Sequence, residues 1–319
     1  MIAGRTALIK EYEIAVLWEW DYDRPFNELL ALVAREYAIR VLFVDPSNLD
    51  TVHAAVREGA VRCKWFLDRA SETDPVFLPF VETCMERGVK PVNPPRSVSR
   101  ALNKARMHRV LFRRGCPLPE TLVLPSRQDR PRLPFFDFSS IGIPFVVKPA
   151  NGGGGDGVHV GLTERSQVDL CRNEFPDQEY LVQQLILPLY RGNRPLWFRV
   201  YHVMGAVWPS FWNPRSKRFA VVQEGDLEPA LLEEIRSLSL RVAWASRLRF
   251  FSSEFAVDIQ GETVIIDYVN DPIDLRPESL HPDGIPNLLF EGIVRSFLDF
   301  FRPSGPSLPP RGVGRKKRK

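Results

Sequence analysis

The chain has 319 residues, 44% of them hydrophobic and 26% charged, with a formal net charge of +4. That length exceeds one ordinary core and the composition is soluble and globular, which excludes fibrous and disordered classes and predicts two or three domains. No run approaches the ~20 apolar residues of a membrane span. Residues 1–11 lack a secretory signal, and Cys63, Cys84, Cys116 and Cys171 are scattered without a C-x-x-C pair, so reduced thiols and a cytoplasmic location are expected.

Glu13–Trp18 predicts a strand, Phe26–Tyr37 carries apolar residues at helical spacing, and Arg40–Val44 predicts a second strand. A helix at Leu49–Glu58 and a strand at Cys63–Leu67 follow. Next comes a helix ending at Arg87, with Asp74 as N-cap, Pro75 at its first position and Gly88 beyond its end, then a strand at Val89–Val92. This alternation predicts an α/β domain with a parallel sheet, whose ligands bind at the carboxyl ends of strands. Those ends carry Glu19, Asp21, Asp23, Asp68 and Arg69, each expected to cap or to be solvated. Asn93-Pro94-Pro95 marks a boundary, so residues 1–95 are expected to form the first domain.

A single helix is predicted from Ser97 to Arg114, ended by Gly115 and Pro117. Pro144–Gly161 then reads P-F-V-V-K-P-A-N-G-G-G-G-D-G-V-H-V-G, a β-branched run, a lysine, a glycine cluster and a return to strand. Glycine tolerates φ > 0 and lets backbone N–H groups approach an anion, so a strand–loop–strand clamp for a polyphosphate is expected. It is no Walker loop, since no Gly-Lys-Ser or Gly-Lys-Thr is present, and it opens no helix as a dinucleotide loop would. Further strands are predicted at Gln178–Ile186, Trp197–Val203 and Val207–Trp212, with helices at Pro229–Arg247 and Pro286–Phe301 around a hairpin at Phe250–Val269. Residues 303–319 hold six basic residues and no acid, which turns the +4 of the whole into −2 for residues 1–302. This tail is rich in Pro and Gly, is expected to be disordered, and suits either simple solvation or contact with nucleic acid.

The hairpin is where chemistry concentrates. Side chains alternate across a strand, so Glu254, Ala256 and Asp258 share a face with Thr263, Ile265 and Asp267. A two-residue turn at Gln260-Gly261 sets Glu254 opposite Asp267, whereas a three-residue turn shifts that register unless a bulge compensates. Opposed carboxylates repel unless a cation lies between them. Hard oxygen ligands suit Mg²⁺, and Asn270 adds a carbonyl at the strand end.

Together these motifs resemble the ATP-grasp superfamily over most of residues 95–302, nearest to glutathione synthetases and ribosomal-protein glutamate ligases. The preceding domain resembles the pre-ATP-grasp domain. The resemblance implies an α+β ATP-grasp fold at 96–302, divided into a small lid subdomain (96–186) and a larger subdomain (187–302). It implies ATP and Mg²⁺ as cofactors. Lys104, in N-K-A-R-M-H, and Lys148 would hold the phosphates, and Gly152, Gly153, Gly154 and Gly155 would close over them. Backbone groups of Gln184, Leu185 and Ile186 would bind adenine, Arg199 would stabilise the charge that develops in catalysis, and Glu254, Asp267 and Asn270 would hold the metal. The chain also departs from the family. Asp267-Tyr-Val-Asn270 is one residue longer than the usual acid-x-Asn, which makes Asp271 a substitute ligand. Gln184 stands for the commoner glutamate, Phe198 for an acid, and Asn213 for an arginine of peptide-bond-forming relatives.

The expected activity is ATP-dependent C–N ligation of a small-molecule or peptide carboxylate to an amine, through an acylphosphate. Arg276, just past the metal motif, is either a substrate-anion ligand or half of a surface ion pair with Asp274 or Glu278. His159 and His202, on predicted strands, are read as packing or facing solvent. Two alternatives stay open. A small-molecule kinase of the inositol phosphate type shares this scaffold and would use Arg215, Lys217 and Arg218. A non-catalytic nucleotide-binding module would keep the site without turnover.

Overall fold

A computed structural model of the chain describes residues 9–133 and 137–302; the basic tail expected at 303–319 lies outside the described residues. In the N-terminal region β1 (Lys10–Leu17), α1 (Arg24–Glu36), β2 (Val41–Val44), α2 (Leu49–Glu58), β3 (Val61–Asp68), α3 (Leu78–Glu86) and β4 (Lys90–Pro91) alternate as the periodicity predicts. The strands form a parallel sheet in the order β2-β1-β3-β4. Asp74 Oδ1 accepts the Val76 N–H at 3.0 Å, the expected capping contact, and a 3-10 turn at Pro75–Phe77 leads into α3.

The single helix predicted across Ser97–Arg114 is in fact two, α4 (Pro95–Leu102) and α5 (Lys104–Phe112). Asn103 breaks it: with φ −72° and ψ 102° it leaves the helical region, and its Oδ1 accepts the Arg106 N–H at 2.8 Å to cap α5. The break puts Lys104 at the first position of a helix. A second sheet follows, from β5 (Thr121–Leu124), β6 (Phe145–Pro149), β7 (His159–Leu162) and, after α6 (Arg165–Cys171), β8 (Tyr180–Gln184). Its order is β5-β8-β6-β7 and every pair is antiparallel. Two-residue pieces β9 (Tyr190–Arg191) and β10 (Arg194–Pro195) lead to the third sheet. That sheet holds β11 (Trp197–Val203), β12 (Ala206–Asn213) and β13 (Arg218–Val221), then, after α7 (Pro229–Ser246), β14 (Phe250–Val257) and β15 (Thr263–Asn270). It runs β13-β12-β11-β14-β15, and α8 (Asn287–Asp299) closes the fold.

The third sheet is covered differently on its two faces. Phe198, Val200, Phe251, Phe255 and Ile265 pack with Met107, Leu111, Ile235 and Val242, so α5 and α7 lie on that side. On the other face Tyr201, Val203 and Phe250 join one core with Ile14, Val16, Phe26 and Leu30 of the N-terminal region and Ile293 and Phe297 of α8. The proposed boundary near residue 95 therefore separates chain segments but not hydrophobic cores. Fully burying each such side chain stabilises the fold by roughly 1.5–3 kcal/mol. That core covers only one end of the sheet face, and the other end carries the charged residues of the hairpin.

Two polar contacts fasten the N-terminal region to this sheet. Asp23 and Arg69 neither cap nor face solvent, as the sequence suggested they would. They form a bidentate pair at 2.8 and 2.6 Å, with side chains 3% and 2% exposed, and Arg69 Nη2 also donates to Ile273 O at 2.9 Å. Asn93, read from sequence as mere punctuation, donates from Nδ2 to Phe250 O at 2.6 Å and accepts the Arg249 and Phe250 N–H groups. Removing one partner of a buried pair strands the other charge. Asp23→Ala is therefore expected to lower unfolding stability by about 3–5 kcal/mol, read as a reduced urea midpoint.

His202 on β11 is 4% exposed, stacks on Phe251 at 5.1 Å and lies 3.5 Å from Ser239 Oγ, so it packs as expected. Burial disfavours the imidazolium and lowers the pKa from 6.5 to about 4. The unfolded chain therefore binds the proton first as the pH falls. The stability that goes with neutral His202 is complete above about 6.5 and is lost progressively toward about 4. His202→Phe is expected to flatten that part of the stability–pH curve, measured by urea unfolding across the window.

Candidate functional site

The hairpin turn is the longer of the two that the sequence allowed. Val257 pairs Thr263 at the tip, Asp258 N donates to Glu262 O at 2.9 Å, and Asp258 Oδ1 accepts the Gln260 and Glu262 N–H groups. A bulge then corrects the register between Phe255 and Glu254, so that Glu254 sits directly opposite Asp267 after all. A second irregularity, between Glu254 and Ser252, brings Asn270 opposite Ser252. It absorbs the extra residue of Asp267-Tyr-Val-Asn270: Tyr268 and Val269 are buried, while Asp267 and Asn270 stay partly open.

Cations surround this pair. Arg199 is the β11 partner of Glu254, and its Nη2 lies 2.6 Å from Glu254 Oε1. Trp197, two residues earlier on the same face, donates from Nε1 to Glu254 Oε2 at 3.1 Å. Burial works to lower the Arg199 pKa, but Glu254, Tyr201 and Asp267 outweigh it and hold the guanidinium above its usual value. Lys148 comes from the second sheet. Its Nζ donates to Ile266 O at 3.1 Å and sits 5.6 Å from the centre of the Tyr268 ring. Burial pulls its pKa from 10.5 down to about 8; Asp267 and Glu254 oppose this and Lys104 adds to it. Lys104, Glu254 and Asp267 thus all act on Lys148, although four different elements carry these four residues.

The glycine loop is rooted at the start of α5. Lys104 N donates to Ala150 O at 2.6 Å, Lys104 Nζ to Gly152 O at 2.5 Å, and Asn103 Nδ2 to Asn151 Oδ1 at 3.1 Å. Gly152, Gly154 and Gly155 adopt φ of 114°, 65° and 94°, and Gly153 has open space where a Cβ would stand. Gln184 ends β8 with its N–H bound to Glu120 O at 2.8 Å, and Leu185 and Ile186 follow it. Ile186 packs with Ala256 and Val264, and Trp197 and Ile266 lie against them. This apolar shelf beside Gln184, Leu185 and Ile186 suits a flat aromatic ring.

Two residues go elsewhere. Asp271 does not join Glu254 and Asp267. Burial raises its pKa to about 7; Asn93 and Arg69 oppose the rise, and Glu72 and Asp68 add to it. Arg276 is held by Asp274 at 2.8 Å and Asp283 at 3.1 Å, and no hydrogen bond or ion pair ties it to the clamp among the described residues. Beneath Lys148, sequence reasoning missed a buried relay. His108 Nδ1 lies 2.8 Å from the Tyr268 hydroxyl, and Gln183 Nε2 donates to that hydroxyl at 3.3 Å and to Thr121 Oγ1 at 2.9 Å. No sequence signal joins residues so far apart, whereas Trp197 was visible in principle as the same-face neighbour of Arg199.

Oxygen atoms available for a cation are present. Asp267 Oδ1 is buried with no hydrogen-bond partner, and Asn270 Nδ2 lies 3.5 Å from Ser252 O, which leaves its side-chain oxygen as a ligand. No group of three or more His, Cys, Asp or Glu residues is placed to hold a metal among the described residues. Such a sparse oxygen set fits Mg²⁺, which takes one or two carboxylates and completes its shell with water and phosphate oxygens.

No family model and no curated protein sequence matches the chain. Solved structures do. D-alanine–D-alanine ligase from Bacillus anthracis, complexed with ATP, aligns at a TM-score of 0.59 and 16% identity, over 91% of this chain and 96% of that one. The ATP-grasp ligase PsnB, complexed with minimal precursor, Mg and ADP, aligns at 0.58 and 15% identity, covering 89% and 98%. A RimK-domain ATP-grasp protein from Sphaerobacter thermophilus aligns at 0.55 and 18% identity, again over 89% and 98%. The chain has the ATP-grasp fold. No helix among the described residues is long and apolar enough to cross a membrane.

Gly157 closes the glycine loop at φ 68°, and a Cβ there would stand 2.7 Å from Phe175 Cε2. Gly157→Ala is expected to lose about 1–2 kcal/mol or more of stability from the backbone term alone. Gly153→Ala, which meets no neighbour, is expected to be nearly neutral. Thermal melts of the two variants decide it.

Proposed function

We propose that the protein is an ATP- and Mg²⁺-dependent carboxylate–amine ligase, with residues 96–186 as the lid over the nucleotide and 187–302 as the body. One observation carries the reading: Lys148 lies in the field of Asp267, Glu254 and Lys104, and an Asp267 oxygen beside it is buried without a partner. Cations for phosphate and oxygens for a metal, side by side under a glycine loop, are the parts that phosphoryl transfer requires. The neighbours in fold include proteins solved with ATP, and with Mg and ADP.

Lys148 and Lys104 bind the nucleotide phosphates, and the loop from Gly152 to Gly155 excludes water from them. Leu185 and Ile186 offer backbone groups to adenine above the apolar shelf. Glu254, Asp267 and Asn270 would hold Mg²⁺, which supplies charge neutralisation at the phosphate oxygens. A substrate carboxylate oxygen attacks the γ-phosphorus, the bond to the β-phosphate oxygen breaks, and ADP leaves. The amine nitrogen then attacks the acyl carbon of the acylphosphate, phosphate departs, and the nitrogen gives up a proton. Arg199 stabilises negative charge on the transferring group, and Glu254 fixes its orientation. Arg218, offered for a kinase acceptor pocket, donates to Pro282 O at 2.6 Å and lines a concavity of about 720 Å³ with Arg191 and Arg194.

The test is ADP release, screened across amino acids, dipeptides and small carboxylic acids paired with amines. Lys148→Met and Asp267→Asn, both close in volume, are expected to lower Mg²⁺-dependent ADP release by about 100-fold or more with circular dichroism unchanged. Full activity in either variant would falsify the site. A phosphorylated product without ligation would favour the kinase instead.

A further inference from the structure

A second concavity lies outside the clamp, on the outer side of α4 and α5. Its volume is about 470 Å³, and Arg100, Arg106, Arg109, Arg113, Asn103 and Glu179 line it. Positions 106, 109 and 113 recur at helical spacing, so Arg106 and Arg109 on α5 and Arg113 at its C-cap present three guanidinium groups on one side, and Arg100 of α4 adds a fourth. Arg109 is engaged by Glu179 at 3.1 and 2.5 Å. The side chains of Arg100, Arg106 and Arg113 have no hydrogen bond or ion pair among the described residues, and all three are exposed.

Four cations against one carboxylate is an unbalanced arrangement. Like charges one turn apart on a helix destabilise it by a few tenths of a kcal/mol, about 0.2–0.5 per pair. A planar guanidinium fork matches phosphate oxygens in a bidentate way that an ammonium does not. The volume falls in the range of small-molecule sites, about 300–1,000 Å³, so a compact ligand fits better than an extended strand. The net excess of three positive charges calls for more than one phosphate group.

We propose that this cavity is a second anion site, separate from the nucleotide clamp, for a compact ligand carrying two or more phosphate groups. Its wall is also the root of the glycine loop. Asn103 lines it and holds Asn151, and the main-chain oxygen of Glu179 accepts the Ala150 N–H at 2.8 Å. The assignment does not depend on the ligase reading, because it concerns binding at residues outside the clamp.

Tripolyphosphate, titrated by calorimetry into the full chain, tests it. Wild type and Lys148→Met are expected to bind alike at this site, and the double variant Arg106→Ala/Arg113→Ala to bind at least about tenfold more weakly. Both arginines are exposed, so the fold is expected to survive, and an unchanged thermal melt checks this. Arg106→Lys/Arg113→Lys keeps the charge but loses the fork, and intermediate affinity is expected. Binding unchanged in the double alanine variant overturns the proposal. So does loss of all binding in Lys148→Met, which would assign the ligand to the clamp. A short single-stranded RNA that binds while tripolyphosphate does not would overturn the compact-ligand assignment.

Discussion

Two carboxylates held face to face across a β-hairpin set the terms for much of this molecule. Glu254 and Asp267 are directly opposed on β14 and β15, an arrangement that repulsion disfavours. Glu254 is neutralised within the sheet by Arg199 and the Trp197 indole. Asp267 is not, and one of its oxygens is left buried without a partner. Compensation comes from Arg199 and, from another sheet, from Lys148, whose own burial makes its charge costly. Each group is thus poorly satisfied alone and better satisfied in company. Such a cluster favours a bound cation and anion together, as a metal–polyphosphate pair would supply.

This arrangement is sustained by a division of labour along one sheet face. At one end Tyr201, Val203 and Phe250 enter a hydrophobic core shared with α8 and the N-terminal region. At the other end the same strands carry Arg199, Glu254 and Asp267. The buried Asp23–Arg69 pair, with its bond to Ile273 O, ties the loop after Asn270 to the carboxyl ends of β1 and β3. Buried ion pairs are weak contributors to net stability, because desolvation cancels much of the attraction. Their geometric demand is strict, however, and here it falls three residues beyond the candidate metal motif. The N-terminal region thereby acts as part of the scaffold of the site.

Much of the architecture was legible along the chain. Alternating strand and helix patterns in residues 13–93, the glycine cluster after Lys148 and the Phe250–Val269 hairpin all stand where their periodicity placed them. The misreadings have local physical causes. The helix predicted across Ser97–Arg114 breaks because the Asn103 side chain offers α5 a better cap than continued helix would. β5, β9, β10 and β13, each two to four residues long, carry too few side chains for a period to be visible and exist because a neighbouring strand pairs with them. Asp23 and Arg69 looked like solvent-facing strand ends, since nothing local announces a partner 46 residues away.

The sequence by itself determined which chemistry was available: a lysine before a glycine loop, an arginine on a central strand, two acids and an asparagine on a hairpin. Composition and short-range spacing decide such things, because rotamers, turns and strand alternation are local. Only the tertiary structure decided which of these groups meet. Two bulges set Glu254 against Asp267 and brought Asn270 round beside Ser252. Sheet packing delivered Lys148 to Asp267, while Asp271 turned toward Arg69 and Arg276 was taken up by Asp274 and Asp283. Those outcomes depend on contacts between residues far apart in the chain, and charge and burial act through space rather than along it.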